Sequence, residues 1–106
     1  MSSDLIVVLV TTPDETSARN IAALLVENRL VGCAQVEGPI SSIYRWKEKI
    51  EQDEEWRLVL KTSLSVYDEL EAKIKEEHPY DTPQIMALPV RKSSYDYASW
   101  LNSQIK

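Results

Sequence analysis

The feature that most constrains this fold is a stretch of strand-like sequence that is too long for a small domain. Residues 31–46 follow a strand pattern interrupted only at Gly38-Pro39, residues 47–49 form a polar turn candidate, and residues 54–62 return with strand alternation. The first arm would span roughly 50 Å at about 3.3 Å per residue, whereas a domain of this length has a radius of gyration of only ~13 Å. We therefore predict a long antiparallel hairpin that either bends at Gly38-Pro39 or projects from the body.

The tip of this hairpin is apolar rather than polar. Ile43, Tyr44, Trp46, Ile50 and Trp56 lie in or near it. If exposed, these side chains and the open strand edges beside them promote association. Pairing with another subunit covers both, so the hairpin predicts a homo-oligomer in which Tyr44, Trp46 and Trp56 pack the subunits together.

Capping patterns mark the start of two helices. Thr12, followed three residues later by Glu15, forms a capping box before an apolar helical stripe. Ser65 with Asp68 gives the same pattern at the start of a second helix over residues 65–77. We therefore predict Thr12 and Ser65 as the N-caps.

The order of the elements predicts the topology. Residues 5–11 indicate a buried central strand, residues 85–90 a last strand, and residues 95–105 a last helix. Pro89 inside the last strand favours an edge position. The resulting order is β-α-β-β-α-β-α, and its first six elements are the ferredoxin-like arrangement. We expect one α+β domain over residues 1–106 with an antiparallel sheet.

The charge of the chain argues against two classes of partner. The formal net charge is −5, from 17 acidic and 12 basic residues. Nucleic-acid binding needs a basic stripe and an anionic membrane attracts a basic amphipathic helix, so we predict neither partner. The apolar run over residues 5–10 is too short to span a bilayer, and residues 1–4 lack the basic start of a signal peptide. These features predict a cytoplasmic protein.

Few residues fit a catalytic role. Two glycines cannot build a phosphate loop, and the single histidine, His78, has no serine or cysteine partner by motif. The single cysteine, Cys33, excludes an intrachain disulfide. We therefore predict a protein that is not an enzyme and has no organic cofactor.

Four segments of the chain match the pattern of a known family. They are Val-Thr-Thr-Pro-Asp-Glu at 10–15, Leu-Val-Gly-Cys-Ala at 30–34, Ser-Ile-Tyr-Arg-Trp at 42–46 with Glu-Glu at 54–55 and Leu-Lys-Thr at 60–62, and His-Pro-Tyr-Asp-Thr-Pro-Gln-Ile at 78–85. In this order and spacing, over roughly residues 5–102, they resemble CutA, the divalent-cation tolerance family. The resemblance implies a ferredoxin-like fold and a tight homotrimer whose hairpins join strands between subunits. It also implies a relationship to PII-like signalling proteins and a link to copper or another divalent metal.

The chain departs from the family pattern at positions that bear on metal binding. Gln84 stands where the last motif normally has a glutamate, so a carboxylate is missing from that loop. Thr11 and Glu77 stand where metal-binding members of the family can offer a cysteine and a second histidine. These differences weaken the metal hypothesis more than the fold prediction.

Three residues are candidate metal ligands. His78 offers an imidazole that suits Cu(II) or Zn(II), the neighbouring Glu77 adds an oxygen, and Cys33 offers a thiolate that Cu(I) favours. The alternatives are that His78 hydrogen-bonds the last carbonyls of its helix and that Cys33 is a small buried strand residue. No Cys-x-x-Cys or His-x-x-x-His spacing exists, so a high-affinity structural metal site is not predicted.

A second candidate site is a cleft between subunits. In this hypothesis Arg45 and Lys61 hold an anion and Tyr80 lines the cleft; the alternative is that the two cations pair with nearby glutamates. The leading functional hypothesis is a trimeric metal-binding protein associated with copper tolerance. The rivals are a PII-like sensor of a small ligand bound between subunits, and a trimeric scaffold or anchor for another protein.

Overall fold

The computed structural model describes residues 4–106, which form one sheet and three α-helices. In chain order the elements are β1 (Leu5–Thr12), α1 (Glu15–Glu27), β2 (Cys33–Trp46), β3 (Lys49–Ser63), α2 (Tyr67–Glu77), β4 (Ile85–Pro89) and α3 (Tyr95–Gln104). A short 3-10 turn, Leu64–Val66, precedes α2. This order agrees with the order predicted from the sequence.

The four strands form one antiparallel sheet in the order β2-β3-β1-β4. The central strand β1 pairs with both β3 and β4, and β2 pairs with β3. The predicted α+β, ferredoxin-like fold with an added C-terminal helix is confirmed. Pro89 ends the edge strand β4, where its missing N–H is tolerated.

Strand alternation gives the sheet one buried face and one open face. On the buried face, Val8 and Val10 of β1 and Leu58 and Leu60 of β3 pack against α1 and α2 in the main core. Their neighbours in the strands point to the opposite side. There Val7 pairs with Leu88 and Leu9 with Met86, and these four residues define the open face. The helix α3 covers one end of it, where Leu5, Ala98 and Leu101 form a small second cluster.

The hairpin of β2 and β3 both bends and projects. A shift in register between Glu37 and Ile40 places a bulge at Gly38-Pro39, the position at which the sequence predicted a bend. The paired arms continue to a turn at Lys47 and Glu48, whose φ angles are 49° and 66°. The molecule therefore extends 46 Å along its longest axis but only 25 and 22 Å across, with a radius of gyration of 14.4 Å.

Both predicted helix caps are wrong. The N-cap of α1 is Asp14, whose carboxylate accepts a hydrogen bond from the Ser17 N–H at 2.7 Å. Thr12 instead ends β1, and its hydroxyl donates to the Asp14 carbonyl at 2.9 Å. Ser65 lies inside the 3-10 turn, and the Ser63 hydroxyl accepts from its N–H. Thr12 and Asp14 both carry short polar side chains that can cap a helix, and so do Ser63 and Ser65, so the sequence alone does not rank them.

Candidate functional site

A concave surface lies where the hairpin leaves the body of the molecule, and we call it the hairpin pocket. It encloses about 680 Å³. Its walls come from the end of β1, from both arms of the hairpin and from the loop that follows α2. The lining residues are Thr11, Ser42, Ile43, Tyr44, Trp46, Glu55, Pro79, Tyr80, Asp81, Thr82 and Gln84.

A buried carboxylate lies in the wall of the hairpin pocket. Glu55 is only 8% exposed although it belongs to a strand that is mostly in solvent at this point. The Tyr80 hydroxyl donates a hydrogen bond to Glu55 Oε2 at 2.9 Å. The pKa of Tyr80 is raised well above its ordinary value. Burial is the larger cause and this hydrogen bond is the second. The phenol is therefore a fixed donor that holds the carboxylate in place.

A second tyrosine–carboxylate pair lies farther along the hairpin. The Tyr44 hydroxyl donates to Asp53 Oδ2 across the two arms. This hydrogen bond, more than any other contact, raises the pKa of Tyr44 to about 12. Both phenols are therefore protonated at neutral pH, and both carboxylates are oriented by them.

The lining of the hairpin pocket is acidic. Of the residues that the structure describes, Glu55 and Asp81 are the charged ones in the lining, and none of the lining residues is a lysine, arginine or histidine. Among residues 4–106, no cationic side chain lies within ion-pair distance of Glu55. A buried carboxylate without a counter-ion is costly, so the electrostatics of this pocket favour a positively charged occupant.

Both ring nitrogens of His78 already have hydrogen-bond partners. The residue follows α2 directly and is 8% exposed. Its Nδ1 accepts from the Tyr80 N–H at 3.1 Å, so the proton is on Nε2, which donates to the Thr11 carbonyl at 2.7 Å. The ring thus ties the loop after α2 to the end of β1. The hydrogen bonds of its side chain reach these two groups rather than the last carbonyls of its helix.

The three candidate metal ligands do not meet within one chain. Glu77 is exposed beside the buried His78. Cys33 is half-buried at the start of β2 and packs near Leu5 and Leu101 at the α3 end of the open face. In the part of the chain from residue 4 onward, no three His, Cys, Asp or Glu side chains are grouped to hold a metal ion.

Of the three proposed cleft residues, only Tyr80 lines the hairpin pocket. Arg45 lies opposite Ile50 near the tip of the hairpin. Lys61 lines a smaller recess of about 170 Å³ beside α3. There its Nζ lies 5.7 Å from the centre of the Tyr97 ring.

The three aromatic residues predicted to pack subunits have different surroundings in the single chain. Tyr44 and Trp46 are exposed and line the hairpin pocket. Trp56 is half-buried and packs against the main core. Tyr44 and Trp46 are therefore accessible for contacts with another subunit, whereas most of the Trp56 side chain is not.

The position of Glu55 in the site was not predicted from the sequence. The residue was treated only as an ion-pair partner for a cation, yet it is a buried pocket residue. Alternation along β3 places residues 51, 53 and 55 on one side of the hairpin, and that signal was readable. Its contact with Tyr80 was not, because 25 residues separate the two in the chain.

The chain is similar to known proteins over nearly its whole length. The family described as CutA1 divalent ion tolerance protein matches residues 6–104. A divalent-cation tolerance protein CutA from Yersinia pestis (strain Pestoides F) is 42% identical over 103 residues, which cover 97% of this chain and 87% of that protein.

Solved structures show the same similarity in three dimensions. The divalent cation tolerance protein Cut A1 of Thermus thermophilus has a TM-score of 0.94 at 38% identity, over 96% of this chain and 99% of that one. The periplasmic divalent cation tolerance protein CutA of Archaeoglobus fulgidus has a TM-score of 0.93 at 28% identity, over 96% and 99%. Within residues 4–106, no helix is long and apolar enough to cross a membrane.

Proposed function

This chain belongs to the CutA1 family of divalent ion tolerance proteins, and from that premise we propose that it is a non-enzymatic, cytoplasmic homotrimer that binds copper(II) or another divalent metal. The observation that carries the proposal is the family match over residues 6–104. The metal, the number of subunits and the compartment are the parts of the proposal that go beyond the match.

Two surfaces of the fold support self-association. The sheet has open edges at β2 and β4, and exposed strand edges tend to pair with other chains. Met86 and Leu88 are exposed side by side on the open face. A second and third copy that cover these groups would bury apolar surface that a monomer leaves in water.

His78 is the metal donor we propose first. In metal sites the ligating imidazole usually donates its other N–H to a carbonyl or carboxylate, and His78 Nε2 already donates to the Thr11 carbonyl. Binding through Nδ1 requires release of the Tyr80 N–H, which lies 3.1 Å away. Glu77 is the neighbouring oxygen donor, and Cys33 is a separate candidate for Cu(I).

A calorimetric titration of the assembled protein with Cu(II) tests this proposal. Saturable binding by the wild-type protein that is lost in His78→Ala and weakened in Glu77→Gln supports it. Glu76→Gln is the matched control, because Glu76 is also exposed and lies one residue earlier on α2. Circular dichroism checks that His78→Ala still folds, since the substitution removes two hydrogen bonds. Equally weak binding by all four proteins would contradict direct copper binding at His78.

A further inference from the structure

The hairpin pocket has chemistry that a metal site at His78 does not use. We propose that it binds a small organic cation, a primary or quaternary ammonium compound that carries an apolar group. The inference goes beyond metal binding and does not depend on it, because none of the pocket's charged residues is a proposed metal ligand.

The size and walls of the pocket suit a small organic molecule. Its volume of about 680 Å³ falls within the range of about 300–1,000 Å³ that is typical of small-molecule sites. Three aromatic side chains, Tyr44, Trp46 and Tyr80, lie in its lining. Aromatic faces attract weakly hydrated cations as well as apolar groups.

The charge of the pocket selects a cation. Glu55 is more than nine-tenths buried and lines the pocket. The Tyr80 hydroxyl is its hydrogen-bond partner, and no cation of the described chain pairs with it. Asp81 adds a second negative charge to the lining. An ammonium group beside Glu55 would supply the missing counter-ion, whereas an anion would meet two carboxylates and no positive charge.

The same features disfavour a bare divalent metal as the occupant. Ca²⁺ and Mg²⁺ take six or more oxygen ligands in compact geometry. Through residues 4–106, three acidic, histidine or cysteine side chains nowhere come together for a metal. Bare metal ions also gain little from a wall of tyrosine and tryptophan, which an organic cation covers with its apolar part.

Binding of benzylamine to the full-length assembled protein tests the proposal. The readout is an NMR titration of the Trp46 indole N–H, identified by its loss in Trp46→Phe. We expect saturable shifts with benzylamine, which is cationic at neutral pH. The uncharged isostere benzyl alcohol and the anionic benzoate should bind at least tenfold more weakly.

Two glutamine variants separate the pocket charge from net charge. Glu55→Gln keeps an acceptor for the Tyr80 hydroxyl but removes the buried charge, and should weaken benzylamine binding at least tenfold. Glu54→Gln is the matched control: it removes the same charge from the adjacent, exposed residue outside the lining, and should change the affinity less than twofold.

Three results would overturn the inference. Equal binding of benzylamine and benzyl alcohol would mean that the pocket is merely apolar. Equal effects of Glu55→Gln and Glu54→Gln would mean that the attraction is nonspecific. No shift at millimolar benzylamine would mean that the assembled protein does not bind an organic cation in this pocket. A Cu(II) titration of the same samples separates the two proposals, because His78→Ala addresses metal binding and Glu55→Gln addresses the organic cation.

Discussion

At the scale of single residues, Thr62 shows how one buried hydroxyl holds two segments together. Its side chain is fully buried, and Oγ1 donates to the Leu30 carbonyl at 2.6 Å. Leu30 belongs to the segment that connects α1 to β2, and Thr62 lies near the end of β3. The hydrogen bond therefore holds this connection against β3. The hydroxyl therefore acts where the hairpin begins, far from its exposed tip.

Replacement of Thr62 by valine keeps the side-chain volume but removes this donor. The variant should lower the free energy of unfolding by about 1–3 kcal/mol, because the Leu30 carbonyl is left buried without its partner. Urea unfolding at a fixed protein concentration measures the change. Thr82→Val is the control, since Thr82 is exposed; equal midpoints for the two variants would contradict the assigned role of the bond.

Tyr44 should titrate later than an ordinary tyrosine. Its hydrogen bond to Asp53 raises its pKa from 10.0 to about 12. A pKa that is higher in the folded than in the unfolded protein stabilises the fold below pH 10, and this contribution is lost as the pH rises from about 10 to 12. Tyrosine ¹³Cζ NMR shifts measure the titration. Asp53→Asn should lower the pKa of Tyr44, whereas Glu54→Gln should leave it unchanged.

The residues of the site were only partly predictable. Tyr80, predicted for a cleft between subunits, lines the hairpin pocket of the single chain, whereas Arg45 and Lys61 lie elsewhere. Glu55 was missed because its burial depends on a tyrosine from a distant loop. The Thr11 carbonyl that accepts from His78 could not be predicted either, since it lies 67 positions away in the chain.

At the scale of elements, the bulge at Gly38 interrupts the pairing of β2 with β3 where the hairpin leaves the body of the molecule. A Cβ atom at this position would lie 2.6 and 2.8 Å from two ring carbons of Trp56. That ring packs against the main core and cannot withdraw freely. Close approach of backbone to ring is therefore what requires glycine here.

Gly38→Ala should destabilise the protein by about 1–3 kcal/mol through this overpacking. Thermal unfolding at a fixed protein concentration gives the measurement, with Ser41→Ala on the same exposed arm as the control. In a double-mutant cycle, Trp56→Leu should remove most of the penalty of Gly38→Ala, because the clash needs the ring. Additive effects of the two substitutions would contradict the assigned clash.

The elements themselves were more predictable than their ends. The seven strands and helices follow from hydrophobic period, and Gly38-Pro39 marks the bulge from composition alone. The start of β3 was placed at residue 54 but lies at Lys49. The polar residues between them carry no hydrophobic alternation, and their strand conformation comes from pairing with the apolar arm of β2.

At the scale of the whole molecule, the open face and the projecting hairpin both expose apolar side chains to solvent. In a single chain, Met86 and Leu88 are exposed on the open face. Ile43, Trp46 and Ile50 are exposed at the far end of the hairpin. Patches of this kind on a small domain usually mark an interface. The sequence predicted this for the hairpin but not for β4, since five residues with a terminal proline carry no sign of which face is covered.

Charge placed on the open face should therefore break the assembly. Sedimentation equilibrium of the wild-type protein should give three times the chain mass at micromolar concentration. Leu88→Glu should shift the protein towards monomer, because it would bury an unpaired carboxylate among apolar side chains of the neighbouring copies. Val26→Glu is the matched control: Val26 and Leu88 are both 45% exposed, but Val26 lies on α1, on the other side of the sheet. A monomeric wild-type protein, or dissociation of both variants alike, would contradict an interface at the open face.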